Sequence, residues 1–359
     1  MKLTLFNEKN LNTFLPILQD ESWMDFLLSH IDPTLSLKRI RARVVGIEES
    51  TQSTKTFLLK PNSHWKGFIP GQHVRVSFPV KGRWMSRAYS LTSSPSDSVI
   101  SITVKRQKDG LFSNALHENL KIGSILEVSP AEGNFTLSEE ENSPLLFLAG
   151  GSGITPIFSI LKYFSTQQKK NDIKVLYFNK YKSDIIFHSE LLELSQIHSN
   201  LEINFLLTEE HLDGYRTERL NSEMISELIP DIDQRKIYLC GPGSLQKSAE
   251  QVLSGKSIHK EIFQMNLPIP EMEKKEVKVF LKKQNREIKL SGIKPILMEL
   301  EDNGIFPPSG CRMGICHTCK CEKTRGISKN LDTGHLSIQE NESIQLCMSR
   351  AESDLELNL

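Results

Sequence analysis

The sequence has no surplus of charge. Among 359 residues, 44 basic side chains face 44 acidic ones. A general nucleic-acid binder needs a basic excess to neutralise phosphates, so that class is set aside, apart from a local patch. No apolar run approaches the roughly 18 residues that span a bilayer. The opening segment, MKLTLFNEKNLNTFLPILQDE, lacks the continuous apolar core and the small-residue cleavage site of a secretory signal. A soluble, cytoplasmic chain is therefore expected, in a compartment where disulfides are rare. Cysteine is scarce, with six in all. Cys240 stands alone and the other five lie between 311 and 347. In a reducing compartment such a cluster reads as ligands or reactive groups rather than staples. There is no internal repeat and no long low-complexity tract. What is present is an ordinary globular mixture, 25% charged and 38% hydrophobic, and a length that calls for two or three domains.

The pattern changes character along the chain. Residues 1–37 place apolar side chains at Leu11, Phe14, Leu15 and Leu18, then at Trp23, Phe26, Leu27 and Ile31. This spacing predicts one or two short amphipathic helices, a helical extension whose apolar stripe packs on the next domain. Residues 38–140 carry short alternating runs such as RARVVGI, KTFLLK, HVRVSFPV, ISITVKR and SILEVSPA, separated by turn residues. They predict an antiparallel β-barrel with one helix at SNALHENL. Residues 141–265 alternate apolar runs (LLFLAG, IKVLYFN, LEINFLLT, KIYLCG, EIFQM) with helical patterns starting at Ile154, Asp184, Arg216 and Ser244. Such alternation predicts a parallel α/β domain. Residues 266–275, NLPIPEMEKK, read as a linker. Residues 276–359 form a small unit with two opening strands, a helix near PILMELEDN, a cysteine-rich loop and closing strands.

Cys311, Cys316 and Cys319 form C-x4-C-x2-C, and Cys347 follows after 27 intervening residues. This is the plant-type [2Fe–2S] spacing. A compact two-iron rhomb needs four converging thiolates, three of them from one tightly curled loop, and Gly310 and Gly314 let the backbone curl. A structural zinc site also takes four thiolates, but zinc knuckles pair C-x2-C with C-x2-C, so the spacing favours iron and sulfide. Cys321 is ambiguous. It could replace a ligand, although the simpler reading leaves it beside the loop.

Two further constellations concern flat, phosphorylated cofactors. Arg87-Ala88-Tyr89-Ser90 lies on an expected strand, where a guanidinium suits a diphosphate, an aromatic ring a flat cofactor and a hydroxyl a ring nitrogen. Taken alone, a surface Arg and Tyr on a strand are commonplace. Val104-Lys105-Arg106 adds positive charge, and Gly110-Leu-Phe112-Ser113 brings a glycine turn to a helix start, where N–H groups favour phosphate. Farther on, Gly150-Gly151-Ser-Gly153-Ile-Thr155-Pro follows a strand and opens a helix, and Cys240-Gly241-Pro242-Gly does the same. Both turns fall at carboxyl ends of strands, where open α/β sheets gather ligands. A tight structural turn explains the first equally well. For Cys240 alone, a small buried hydrophobe is the better explanation.

Taken together and in this order, these motifs resemble the ferredoxin–NADP(+) reductase superfamily with a fused C-terminal plant-type ferredoxin. RAYS resembles the flavin motif R-x-Y-S. GLFSNAL resembles G-x-C-S-x-x-L, with Phe112 at the Cys position. GGSGITP and CGPG resemble the two pyridine-nucleotide motifs, and Glu261-Ile-Phe263 the segment that brings acidic and aromatic groups to the flavin. The arrangement is similar to the reductase component of bacterial fatty-acid desaturases and oxygenases. The resemblance implies FAD in the barrel, NAD(P)H in the α/β domain and a [2Fe–2S] cluster in a β-grasp domain. It implies that Arg87 holds the FAD diphosphate, Tyr89 stacks on the isoalloxazine and Ser90 hydrogen-bonds near its N5, with Ala88, Val104, Lys105, Gly110, Phe112 and Ser113 around them. Gly150, Gly151, Gly153, Thr155, Lys180, Gly241 and Pro242 would hold the nucleotide. Ser90, Thr155, Cys240 and Phe263 would orient hydride donor and acceptor, and Cys311, Cys316, Cys319 and Cys347 would ligate iron.

The implied activity is a two-to-one electron splitter, in which a hydride enters from NAD(P)H and single electrons leave through the cluster to an external acceptor protein such as a desaturase, hydroxylase or oxygenase. A membrane-bound acceptor would bring the chain to a membrane surface, and a monomer is expected. Residues 275–359 hold 13 basic and 12 acidic side chains, a balance that fits tethering rather than charge-guided docking. Lys180 and Lys182 after the second α/β strand favour NADPH, though two solvated surface lysines explain them equally well. The alternatives are a flavin oxidoreductase with a zinc-binding or redox-sensing C-terminal domain, and a non-enzymatic redox sensor.

Overall fold

A computed structural model describes residues 21–108, 110–138, 140–261, 263, 276–314 and 317–359. The expected apolar positions Leu11, Phe14, Leu15 and Leu18 and the linker 266–275 lie outside the described residues.

Helix α1 (Glu21–Ile31) docks through a carboxylate rather than through its apolar stripe. The Asp25 carboxylate accepts hydrogen bonds from Ser36 Oγ at 2.9 Å and from the Leu37 N–H at 2.7 Å, with the Arg39 and Arg41 guanidinium groups 3.8 and 3.9 Å away. Phe26, Leu27 and Ile31 stay on the surface, Ile31 79% exposed. Of the expected stripe, these three side chains do not pack into the barrel core.

The next unit is built from β1 (Ile40–Thr51), β2 (Thr54–Pro61), β3 (His73–Val80), β4 (Arg83–Ser90), β5 (Ile100–Lys105), α2 (Leu111–Asn119) and β6 (Ile125–Val128). The strands form one antiparallel sheet in the order β4-β3-β6-β1-β2-β5. A bridge between Leu91 and Ile102 brings the end of β4 to β5, so the sheet curls toward closure. Alternation sets the faces: Ile40, Ala42 and Val44 of β1 enter the core while Arg41 and Arg43 lie on the other side.

The α/β unit comprises β7 (Leu145–Gly150), α3 (Ile154–Thr166), β8 (Ile173–Asn179), α4 (His188–Ile197), β9 (Leu201–Leu207), β10 (Arg216–Thr217), α5 (Ser222–Leu228), β11 (Lys236–Cys240), α6 (Gly243–Val252) and β12 (Ile258–Glu261). All neighbours in the order β10-β9-β8-β7-β11-β12 are parallel. Every residue of β7 is buried, because helices cover both faces. Two helices start later than their apolar pattern. Phe187, with φ +60°, delays α4 to His188. Arg216 and Thr217 pair with β9 instead of coiling, and the Asn221 side chain caps α5 by accepting from the Met224 N–H at 2.8 Å.

The C-terminal unit contains β13 (Val277–Leu281), β14 (Arg286–Leu290), α7 (Ile296–Asp302), β15 (Lys320–Arg325), β16 (Ser328–Asn330), β17 (Leu336–Ser337), β18 (Glu342–Gln345), β19 (Ser349–Ala351) and β20 (Leu355–Leu357). The main sheet runs β14-β13-β20-β15-β18, with β20 returning parallel to β13, and β17-β16-β19 form a second small sheet.

Polar contacts assemble the three units. Ser159 Oγ of α3 donates to the Ser93 carbonyl at 2.7 Å, and Lys162 pairs with Asp97 at 2.9 Å. The Arg83 guanidinium stands 3.6 Å above the Phe306 ring, and Arg75 donates to Thr318 Oγ1 at 3.4 Å, joining barrel to C-terminal unit.

Candidate active site

One cavity of about 770 Å³ takes walls from all three units. Its size falls in the range of small-molecule and cofactor sites. The barrel contributes the end of β4, Arg87 through Ser90, together with Thr103, Lys105 and the start of α2. Arg87 lies 5.8 Å from the Phe112 ring, and Tyr89 stacks on Phe112 with ring centres 6.3 Å apart. Burial, followed by the positive charge of Arg312, pushes Arg87 down to about 10, so it is still a cation at neutral pH. Burial raises the Tyr89 phenol, which keeps its proton.

The strand period decides which β5 residues reach the cavity. Thr103 and Lys105 line it, whereas Val104, expected among the cofactor residues, turns into the barrel core. Its carbonyl is held by His117 Nε2 at 2.7 Å. Lys105 pairs across the cavity with Asp184 of the α/β unit at 3.5 Å. At the start of α2, Ser113 Oγ donates to the Gly110 carbonyl and accepts from the Gln107 N–H, both at 3.2 Å, which fixes the glycine turn.

The α/β unit presents its two glycine turns side by side at the carboxyl ends of β7 and β11, where the strand order changes direction. They touch so closely that a Cβ on Gly153 would lie 1.9 Å from the Cys240 carbonyl oxygen. Thr155 Oγ1 donates to the Ser152 carbonyl at 2.9 Å. Tyr177, fully buried, donates to the Gly151 carbonyl at 2.9 Å and accepts from the Ile186 N–H at 3.2 Å, a support that no sequence motif announced. Gly150, Gly151, Gly153, Thr155, Gly241 and Pro242 all line the cavity. Cys240 does not. It lies in the core beneath, its thiol pushed well up by burial, and Phe263, which does line the cavity, packs against that same core. At the rim Lys180 meets Glu209 at 2.8 Å, with Arg219 nearby. Both Glu209 and Arg219 come from segments far from Lys180 in sequence, so the residues next to Lys180 along the chain give no sign of them.

At the floor, Ser90 Oγ is buried and makes no hydrogen bond of good geometry; the Glu261 carboxylate lies buried behind it, close enough for Ser90 to favour its ionised form. Glu261 Oε1 meets His73 Nδ1 at 3.2 Å across the barrel–α/β boundary. Burial, opposed by His73, raises Glu261 above its ordinary value. An orphaned buried hydroxyl on the wall of a cavity of this size, beside Arg87 and an aromatic pair, is the mark of a missing polar ligand, so the residues fit a flavin.

The C-terminal unit closes the cavity with Cys311, Arg312 and Met313. Cys311, Cys319 and Cys347 are buried, and the Cys319 and Cys347 sulfurs lie 3.2 Å apart. The two do not ionise together: the hydrogen bond between them pulls the Cys319 thiol down and pushes the Cys347 thiol up, so the bare pair holds one proton between two sulfurs. The Met313 N–H points at Cys311 Sγ at 3.4 Å. Cys316 lies outside the described residues. Among the described residues no three ligand side chains converge. A close sulfur pair with a third thiol near it nevertheless suits a two-iron cluster, in which each iron takes two thiolates. Cys321, on β15, packs in the domain core with its Sγ toward the Glu322 carbonyl at 3.5 Å and takes no part in the Cys319–Cys347 sulfur pair.

A curled barrel, a parallel α/β sheet with paired glycine turns, and a thiolate-rich domain around one cavity define a flavin- and pyridine-nucleotide-dependent oxidoreductase with an iron–sulfur module. Family comparisons agree: the oxidoreductase FAD-binding domain matches residues 41–137, the oxidoreductase NAD-binding domain 147–251, and the 2Fe-2S iron-sulfur cluster binding domain 279–352. An "NADPH oxidoreductase" of Mycobacterium tuberculosis is 29% identical over 96% of this chain and 89% of its own length. The "glycine betaine monooxygenase reductase subunit" of Pseudomonas aeruginosa is 30% identical over 79% of this chain and 85% of its own. The solved phthalate dioxygenase reductase shares the fold, with a TM-score of 0.63 and 23% identity over 89% of this chain and 98% of that one. The chain belongs to this family of flavin and iron–sulfur reductases. It is an NAD(P)H-dependent electron-transfer reductase whose cofactors are FAD, a [2Fe–2S] cluster and a pyridine nucleotide. No helix among the described residues is long and apolar enough to cross a membrane.

Proposed function

We propose that this protein is the reductase component of a larger system, delivering single electrons from NAD(P)H to a separate oxygenase or desaturase. The bound flavin and cluster supply the chemistry, a two-electron uptake followed by one-electron release. The chain's own residues bind and orient. Arg87 holds the FAD diphosphate, Tyr89 and Phe112 flank the flavin, and Ser90 Oγ offers its unpartnered hydroxyl near N5. Gly110 and Ser113 shape the second phosphate turn. Gly150, Gly151, Gly153, Thr155, Gly241 and Pro242 admit the nicotinamide nucleotide against bare backbone. Cys240 supports that turn from below, and Phe263 borders the hydride path. Cys311, Cys316, Cys319 and Cys347 ligate the irons. The working bounds are 38–140 for the FAD domain, 141–265 for the nucleotide domain and 276–359 for the cluster domain.

The observation that supports this reading is that Cys311 lines the same cavity as Arg87, Ser90 and the glycine turns. A ligand of the cluster thus stands at the wall of the flavin site, where electrons need cross no intervening domain. For the nucleotide, Lys180 and Arg219 at the rim suit a 2′-phosphate, and with two cations against the one acid, Glu209, we propose NADPH as the favoured donor. The test is the purified protein. It should be brown, carry flavin and acid-labile sulfide, and reduce cytochrome c with NADPH. Arg87→Ala should fold, lose FAD and lose that turnover. A colourless protein, or zinc without acid-labile sulfide, would overturn the proposal.

A further inference from the structure

Arg312 is out of the ordinary on three counts. It is a non-glycine residue in the left-handed backbone region, with φ +60°. It sits on the cluster loop, next to Cys311, yet its side chain lines the cavity beside Arg87 of the barrel. Its charge is the largest influence on Arg87 after burial. Two guanidinium groups thus share one partly dehydrated space, where like charges repel. The Glu301 carboxylate of α7 pairs with Arg312 and offsets one of them. The Arg312 Nε–H remains buried without an acceptor. A buried donor without a partner and an uncompensated positive charge call for an anion at that point. The cofactor that fits supplies one, the diphosphate of FAD, for which a guanidinium is the best-matched protein group.

We propose that Arg312 is a second arginine on the FAD diphosphate, reaching it from the cluster domain, so that bound FAD fastens that domain to the barrel. The inference rests on the reading that Arg87 holds the diphosphate. Two further contacts join the cluster domain to the barrel, the Arg83–Phe306 stack and the Arg75–Thr318 hydrogen bond. A clamp through the cofactor itself would hold the cluster loop against the flavin whenever FAD is bound and relax that hold when it is not.

The test uses the whole chain with its cluster in place and its flavin removed, titrated with FAD, FMN and riboflavin. Arg312→Gln should weaken FAD by about tenfold or more, the worth of a charge-assisted hydrogen bond. FMN should weaken by less, and riboflavin, which has no phosphate, should be unchanged. Arg312→Lys should recover part of the loss. Equal weakening of FAD and riboflavin, or no weakening at all, would overturn the proposal. A second measurement needs no variant. Hydrogen exchange over residues 299–314 of the wild-type chain should slow more with FAD than with riboflavin, and equal slowing would overturn the clamp even if Arg312→Gln fails to keep its cluster. A wild-type chain that takes up no flavin in any form would instead sink the flavin reading beneath it.

Discussion

Gly153→Ala is the sharpest perturbation of the nucleotide site. The new Cβ would lie 1.9 Å from the Cys240 carbonyl oxygen, 2.4 Å from its carbon and 2.8 Å from the Gly241 nitrogen, where real Cβ contacts essentially never fall under 3.0 Å. All three neighbours are backbone, so no side chain can swing aside and the two glycine turns must part by about 1 Å. Overpacking of this kind costs about 1–3 kcal/mol, and the upper end applies where only backbone can yield. The melting temperature of the nucleotide domain should fall by about 5–10 °C. The functional loss should be larger, because a displacement of about 1 Å at a positioning element costs on the order of a hundredfold in kcat/KM. FAD content should stay near wild type, since Gly153 belongs to the nucleotide turn. Gly151→Ala is the control. Gly151, unlike the right-handed Gly153, has a left-handed backbone, φ +52°, but a Cβ there meets nothing within 4 Å. It should cost only the left-handed strain of about 1–2 kcal/mol, with kcat/KM for NADPH held within about tenfold. The assays are calorimetry of the holoprotein and steady-state cytochrome c reduction at varied NADPH. Equal behaviour of the two variants, or a Gly153→Ala enzyme with intact kcat/KM, would refute the claim that close approach of the turns shapes the site.

Three further outcomes follow from the same geometry. Burial holds Glu261 above its ordinary value of 4.5, so the folded chain keeps a proton there that the unfolded chain releases, and stability falls as pH rises from about 4.5 toward the raised folded value. Glu261→Gln should therefore stabilise the protein at pH 7 and not at pH 4, and a pH-independent difference in urea unfolding would contradict this. Glu209→Gln should release Lys180 at the rim and lower KM for NADPH while leaving NADH almost unchanged; an equal gain for both nucleotides would argue against a 2′-phosphate site. Cys321→Ala should keep its full acid-labile sulfide and visible spectrum, because its Sγ lies toward the Glu322 carbonyl and outside the Cys319–Cys347 sulfur pair, whereas loss of half the iron would make it a ligand.

The sequence by itself determined the parts list. The C-x4-C-x2-C spacing before Cys347, the strand-borne RAYS and the two glycine turns at strand ends each write their chemistry in local order, since a loop that curls around a cluster or a turn that admits a phosphate is a matter of a few consecutive residues. Strand and helix periods were legible for the same reason, apart from two helix starts where Phe187 and Asn221 reset the backbone and the last α/β strand, which pairs with β11 over Ile258–Glu261 and so ends where the apolar run EIFQM begins. Only the tertiary structure decided which of those residues share a space. It turned Val104 into the barrel core and put Thr103 in the cavity, sank Cys240 beneath the glycine turns, and left Phe26, Leu27 and Ile31 of α1 outside while Asp25 did the docking. It also brought Glu209 to Lys180, Tyr177 to Gly151, His73 to Glu261 and Arg312 to Arg87. Each of these pairs is separated by many residues and joined by strand order or by domain docking. No periodicity in the chain encodes such a meeting, because it depends on how whole sheets pack and not on what lies a few positions away.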